Sequence, residues 1–315
     1  MLLKEDDPEI PYERRHFFEE TEFVTAVWGQ RKLLMMELLF FTYFWDPKKI
    51  PRPHVLYIGS APGNHIKILS DIYSDLTFHL YDPTDFTVET TPRIIKYPQL
   101  FKDEDAKLWS GRMDVFFISD IRRTPPFDGN NDEFWERTIT EDMNMQWKWC
   151  KMIRPVYFHL KFRLPNTIKS LEYVQGEIFK QPWVRVNSTE CRIIGSDPDR
   201  KKVYDISSHY NRMYYHNLVI RGQQKFMNPV TNDETPIWSP ELLNDYDSTY
   251  EAFLLLDVMK KIGIELTLRN LRLFSRYITV QLNRFENLKW KTLSTLRKRT
   301  RYFYNMKAME EKNLS

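Results

Sequence analysis

Glycine is scarce in this chain, with nine in 315 residues, about half the usual share. Scarcity makes position informative: Gly59 and Gly63 stand four residues apart at the close of the apolar run Val55-Leu56-Tyr57-Ile58. Cysteine is scarcer still. Cys150 and Cys191 give no disulfide framework, which suits a reducing compartment. No uncharged apolar run approaches about 18 residues, so no membrane-spanning helix is expected. The amino terminus, Met1 to Ile10, is acidic rather than basic and then apolar, and a secretory leader is not expected. A Gly-x-x-x-x-Gly-Lys-Ser/Thr loop is missing, which leaves nucleoside triphosphate hydrolysis without support, and so is the Gly-x-Gly-x-x-Gly run of dinucleotide sites. The histidines and cysteines show no metal-ligand spacing, so no metal is expected. Charge of one sign is not in excess either: a net +3 says little about partners.

What is present is an alternation of elements. The length allows one large domain, or a domain with an appendage, whose core needs no staples. Phe23 to Trp45 is rich in Leu, Met and Phe with polar residues set among them, which fits a helix packed on a sheet. Strands are expected at Val55 to Gly59, Thr77 to Tyr81, Arg93 to Lys96, Met113 to Ser119, Val156 to Phe162 and Glu190 to Ile194, with a helix over Asn64 to Tyr73. Strands alternating with helices imply a mainly parallel sheet covered on both faces, hence an α/β fold. The stretch Asn228 to Pro240 reads as a connection to long helices at Tyr250 to Lys261 and Thr267 to Phe285. The expected organisation is an arm over 1–22, the α/β domain over 23–227 and a basic helical extension over 228–315, packed on the domain. Lysines and arginines from Lys289 to Lys307 alternate with Trp290, Tyr302, Phe303 and Tyr304. Such a segment suits phosphates and stacked bases, or else is a solvated helix face with apolar anchors.

In parallel sheets, ligands sit outside the carboxyl ends of the strands, where strand order reverses. Glycines at Gly59 and Gly63 let the backbone turn sharply and approach a nucleotide-type ligand. Asp82, about 20 positions on, stands where a ribose-binding carboxylate belongs, although Asp82-Pro83-Thr84-Asp85 also reads as a turn or cap. Asp120 ends the run Val115-Phe116-Phe117-Ile118-Ser119, and Lys161 lies within Tyr157-Phe158-His159-Leu160-Lys161-Phe162. An ion at the end of a buried strand is costly unless it is paired or functional.

These residues also carry a resemblance. The run Tyr57-Ile58-Gly59-Ser60-Ala61-Pro62-Gly63-Asn64-His65-Ile66, preceded by Gly29-Gln30-Arg31-Lys32-Leu33-Leu34 and Glu37-Leu38, resembles the poxvirus cap-specific mRNA (nucleoside-2′-O-)methyltransferase family. Members of that family also serve as the small regulatory subunit of the viral poly(A) polymerase. The likeness continues through Ile118-Ser119-Asp120-Ile121-Arg122, Leu160-Lys161-Phe162-Arg163, Ser188-Thr189-Glu190-Cys191-Arg192 and Met213-Tyr214-Tyr215, spanning about Tyr12 to Arg284.

The resemblance implies a Rossmann-like, S-adenosylmethionine-dependent sheet and a Lys-Asp-Lys-Glu tetrad, shared with the wider FtsJ-like group. By position the tetrad is Lys32, Asp120, Lys161 and Glu190, with Lys161 meeting the ribose 2′-hydroxyl. Gln30, Tyr57, Gly59, Gly63, Asp82, Asp120 and Arg122 match positions that line the site of S-adenosyl-L-methionine and of its product S-adenosyl-L-homocysteine. Thr84 stands where the family has an arginine. For RNA or the cap, where two aromatic rings hold 7-methylguanine by cation-π contact, the candidates are Tyr12, Arg163, Ser188 and Tyr210. No aromatic stands at the second-ring position after Lys161. The implied partners are capped mRNA and a poly(A) polymerase catalytic subunit, in a virus replicating in the cytoplasm. Two alternatives stay open: a non-catalytic RNA-binding subunit of the polymerase, and methylation of uncapped structural RNA.

Overall fold

Five short runs are mostly apolar, as strands of a covered parallel sheet must be, the outermost being the least buried. The computed structural model, which describes residues 2–13, 29–123, 132–185, 187–223, 226–235, 237 and 246–286, forms them into a parallel set. These are β1 (His54–Ile58), β2 (Thr77–Tyr81), β3 (Ile94–Tyr97), β4 (Val115–Ser119) and β5 (Tyr157–Phe162). Next come β6 (Ser170–Val174), β7 (Glu177–Lys180), β8 (Cys191–Gly195) and β9 (Lys201–Asp205). Among the described residues, seven strands make one sheet in the order β3-β2-β1-β4-β5-β8-β7, and β6 pairs with β9 in a separate ribbon. Strand β8 runs antiparallel to both β5 and β7, so the sheet is parallel over β1 to β5 and mixed at one end. The α/β fold with a mainly parallel sheet is thus present, while the ribbon and β7 were not among the expected strands. The basic segment from Lys289 to Lys307 lies outside the described residues.

Contact-based division gives two units, one drawn from Met1–Glu9, Met36–Gln181 and Thr189–Met213, the other from Ile10–Met35, Pro182–Ser188 and Tyr214–Ser315. The sheet belongs to the first. On one of its faces lie Phe40 and Phe41 of the helix Gly29–Phe44: Phe41 meets Phe78 at 6.2 Å between ring centroids, Phe40 meets Phe116 at 5.7 Å, and Phe40 stacks on His159 at 5.2 Å. On the other face, helices Asp103–Trp109 and Asp132–Ile153 bring Trp109 to His79 at 4.5 Å and Trp149 to Phe101 at 5.0 Å. Period-2 alternation sends Phe78 and His79 to opposite faces, and each meets its own helical layer. The outer edge of β7 is covered by the amino-terminal segment, where the Leu3 amide donates to the Ile178 carbonyl at 2.7 Å and Lys180 pairs with Asp7 at 2.9 Å. Covering an edge in this way removes a template for strand addition.

The second unit is helical and its ions are buried in pairs. Arg31 forks onto Glu251, with Nε 2.7 Å from Oε2, and donates to the Thr279 hydroxyl at 3.1 Å, while the Trp183 indole donates to Glu251 at 3.2 Å. Arg221 holds Asp247 at 2.5 Å, Asn217 at 3.0 Å and the Val184 carbonyl at 3.1 Å. In the helix Leu268–Glu286, Leu271, Ser275, Ile278 and Leu282 fall on one buried face at helical spacing.

Buried histidines make the first unit acid-sensitive. Burial, then His54 and Arg112, hold His79 down to about 4, and burial holds His209 at about 4 while its ring donates to the Thr189 carbonyl at 2.9 Å. Below the ordinary histidine value of 6.5, the unfolded chain binds protons that these folded imidazoles refuse. Stability is therefore fully present above about pH 6.5 and is lost between there and pH 4, on the order of 2 kcal/mol per histidine. Urea titrations of the full chain at stepped pH should show this slope, and a flat stability from pH 7 to 4 would contradict it.

Candidate active site

The sheet's order reverses between β1 and β4, and the chain leaves both strands at that point through residues of unusual geometry. Gly59 has φ of 74°, and a Cβ there would lie 2.8 Å from the Ile121 nitrogen and 2.9 Å from the Asp120 carbonyl carbon. Only glycine combines that dihedral with so close a backbone approach. The ends of the strands are locked together as well: the Gly59 amide donates to the Tyr81 carbonyl and the Asp120 amide to the Ile58 carbonyl, each at 2.9 Å. Gly63, φ 77°, leads into the helix Asn64–Ile72. Asp82 ties the turn to the end of β2, accepting from the Ala61 amide at 3.1 Å and from the Thr84 amide at 2.8 Å. Asp82 is thus a turn anchor at the rim of the sheet, each of its oxygens keeping a further lone pair.

Beside this turn the charged strand ends converge. Asp120 and Lys161 follow the register of β4 and β5, in which Ile118 pairs with His159, so both side chains leave the same face. Lys161 Nζ lies 3.0 Å from Asp120 Oδ1 and 3.8 Å from Glu190 Oε2. Directly across on β8, Arg192 pairs in register with Lys161. Two cations side by side on neighbouring strands repel, and the carboxylates are what reconcile them: Arg192 reaches Asp120 Oδ1 at 2.6 Å and Glu190 Oε1 at 3.6 Å. Arg122 approaches Glu190 Oε2 at 3.9 Å. Gln181, which follows β7, donates from Nε2 to the Glu190 carbonyl at 3.0 Å and to Oε1 at 3.2 Å, and accepts from Arg192 Nε at 2.9 Å.

Burial sets the electrostatics of the cluster. Desolvation pulls the Lys161 ammonium below its usual value, with Asp120 and Glu190 opposing and Arg192 and Arg122 assisting. Burial likewise lowers Arg122. For Arg192, wholly buried, desolvation pulls down but Asp120 and Glu190 more than compensate, and the guanidinium is held charged. Such a site holds an amine whose charged form is disfavoured by burial at the rim of a parallel sheet, where it can meet the proton of a hydroxyl.

Three of the four tetrad positions, Asp120, Lys161 and Glu190, are thus brought together within the first unit. Lys32 and Gln30 stand in the first turn of the helix Gly29–Phe44, both half-buried, and belong to the second unit. Tyr57 is fully buried, its ring centroid 5.9 Å from that of His65. Arg163 lies half-buried, close enough to Arg122 for its charge to help lower the Arg122 guanidinium. Tyr210 is 6% exposed and its hydroxyl donates to the Leu164 carbonyl at 2.9 Å, which engages the polar end of the ring. Tyr12 packs edge-on against Tyr214 at 5.5 Å and its hydroxyl donates to the Asn187 carbonyl at 3.4 Å. Ser188 has its carbonyl held by Asn217 at 2.8 Å. Arg192 and Gln181 were absent from the expected site. Arg192 carried a legible signal, a charge inside the apolar run Cys191-Arg192-Ile193-Ile194, whereas Gln181 carried none. Among the described residues no group of three or more His, Cys, Asp or Glu is arranged to hold a metal ion, and no helix is long and apolar enough to cross a membrane.

The family model described as poly A polymerase regulatory subunit matches residues 1–289. Over 243 residues the chain is 27% identical to the cap-specific mRNA (nucleoside-2′-O-)-methyltransferase of myxoma virus (strain Lausanne), covering 71% of this chain and 70% of that protein. It is 28% identical over 182 residues to the fowlpox virus (strain NVSL) protein of the same name, covering 53% and 57%. Among solved structures, bluetongue virus VP4, titled a multifunctional RNA-capping production-line, matches at a TM-score of 0.44 and 16% identity, covering 67% of this chain and 38% of that one.

Proposed function

This chain belongs to the poly(A) polymerase regulatory subunit family, and from that premise we propose that it methylates the ribose 2′-hydroxyl of the first transcribed nucleotide of capped mRNA. The observation that carries the reading is Lys161, 3.0 Å from Asp120 and 3.8 Å from Glu190, at the sheet edge beside the Gly59 turn. Relatives named as cap-specific 2′-O-methyltransferases support it.

S-adenosyl-L-methionine fits the residues on the other side of that turn. The positive φ angles of Gly59 and Gly63 suit close backbone approach to an adenosine and its methionine tail, and Asp82 is the proposed acceptor for the two vicinal ribose hydroxyls. Gln30, Tyr57 and Arg122 complete the proposed donor positions. When bound, the donor supplies a methyl group already activated by its sulfonium charge. What remains for the chain is alignment, the largest saving available to such a transfer. Lys161 holds or takes the acceptor proton, Asp120 and Glu190 keep the amine oriented, and Lys32 is proposed as the tetrad's fourth member from the sequence resemblance alone. Tyr12, Arg163, Ser188 and Tyr210 are the proposed contacts to RNA or cap.

Incubating the full chain with isotopically labelled donor and matched capped and uncapped RNAs tests the proposal. Label on the ribose of the first nucleotide, only in capped RNA, is the expected result. Label in both RNAs points to structural RNA instead, and label in neither removes the activity. The family's description supports a second role, binding a poly(A) polymerase catalytic subunit in a cytoplasmic virus. Failure of the purified chain to retain that subunit would remove this role without touching the first.

A further inference from the structure

We infer that Gln181 is a positioning residue that divides the two oxygens of Glu190 between different cations and so sets the charge state of Lys161. The inference deepens the reading of Lys161 as the group that meets the acceptor hydroxyl, and rests on it. Gln181 is 2% exposed and directly follows β7. Because β7 and β5 both run antiparallel to β8, the ends of β7 and β5 reach the same rim of the sheet.

Only one orientation of its amide satisfies all its partners. The carbonyl must face Arg192 Nε, a donor, at 2.9 Å, and the NH2 must face the Glu190 carbonyl and Oε1, both acceptors, at 3.0 and 3.2 Å. This clamp occupies Oε1 on the side of Gln181 and Arg192, and it leaves Oε2 toward Lys161 at 3.8 Å and Arg122 at 3.9 Å. Arg192 is similarly divided, giving Nε to Gln181 and Nη2 to Asp120 at 2.6 Å. Without the amide, Oε1 loses the donor that holds it apart from Arg192, now 3.6 Å away. An arginine and a carboxylate prefer a two-pronged pair, and closing that pair draws Glu190 away from Lys161.

The charged groups described around Lys161 are Asp120, Glu190, Arg192 and Arg122, of which the two acids favour its charged form and the two arginines oppose it. Withdrawing Glu190 therefore lowers the titration of Lys161. The direction does not depend on how Lys161 works. A neutral lysine acting as base gives activity that rises through its pKa, and a charged lysine steering the hydroxyl gives activity that falls through it. In either case the limb moves to lower pH.

Titration of Lys161 in the full chain with ¹³Cε-labelled lysine, its resonance assigned by loss in Lys161→Ala, reads the effect without any substrate. Gln181→Met is expected to shift that titration down by roughly half a unit to one unit. Glu190→Gln should shift it down at least as far, and adding Gln181→Met to Glu190→Gln should shift it no further, because the amide acts through that carboxylate. An unmoved titration in Gln181→Met, or additive shifts in the double variant, would overturn the assignment. Should Gln181→Met not fold, Gln181→Asn withdraws the same donors by one methylene and carries the same expectation. A Gln181-dependent titration in a chain that transfers no methyl leaves the positioning intact and sinks the proposed reaction; methyl transfer with an unmoved titration does the reverse.

Discussion

Lys161→Ala is expected to reduce methyl transfer by about 100- to 10,000-fold, the usual worth of a positioned proton-transfer group, while leaving affinity for the donor within a few-fold. The split follows from where the residue stands. Its ammonium is 3.0 Å from Asp120 and 3.8 Å from Glu190, whereas the proposed donor positions Gly59, Gly63 and Asp82 are held by bonds to other backbone groups, none of which involves Lys161. Removing the amine leaves Asp120 paired with Arg192 at 2.6 Å, so the fold has a replacement cation and the reaction has none. Single-turnover rates with saturating donor, set beside donor binding by calorimetry, measure the two parts separately. A variant retaining more than about a tenth of the wild-type rate, well outside that range, would mean that alignment alone carries the reaction and that Lys161 is a structural ion.

The sequence exposed this site unevenly, for reasons visible in the geometry. Gly59 and Gly63 stood out because a turn that combines positive φ with close neighbours strongly favours glycine, in a chain with few glycines to spare. Asp120 and Lys161 stood out because an ion ending an apolar strand breaks a pattern that burial otherwise enforces. The parallel core was legible for the same reason: β1, β2, β4 and β5 are continuous apolar runs with helices between them. Arg192 obeys the rule that revealed Lys161, since Cys191-Arg192-Ile193-Ile194 is also an apolar run holding one charge. Its importance comes from pairing across strands, and register between β5 and β8 is a long-range property. Gln181 is a neutral residue beside a proline, with nothing local to mark it. The ribbon of β6 and β9 was hidden because its strands are half-exposed, with Val203 62% exposed, so they lack the apolar continuity that betrays a central strand.

Arg192→Met is expected to cost about 3–5 kcal/mol of stability, the range for removing one partner of a buried ion pair. The arginine is fully buried and gives Nη2 to Asp120 at 2.6 Å and Nε to Gln181 at 2.9 Å. Methionine fills much of the volume but takes from the two carboxylates the guanidinium that reaches both. This loss has a second consequence, opposite in sign to that of Gln181→Met. Arg192 is one of the two charges that depress Lys161, so its removal hands both acids to the lysine and raises the lysine's titration, moving the activity limb toward higher pH. Denaturant midpoints report the first effect and the ¹³Cε titration the second, at a temperature where the variant remains folded. A downward or absent shift in Arg192→Met would break the electrostatic account of the cluster, because the same four charges cannot respond alike to losing a cation and to losing the clamp on an anion.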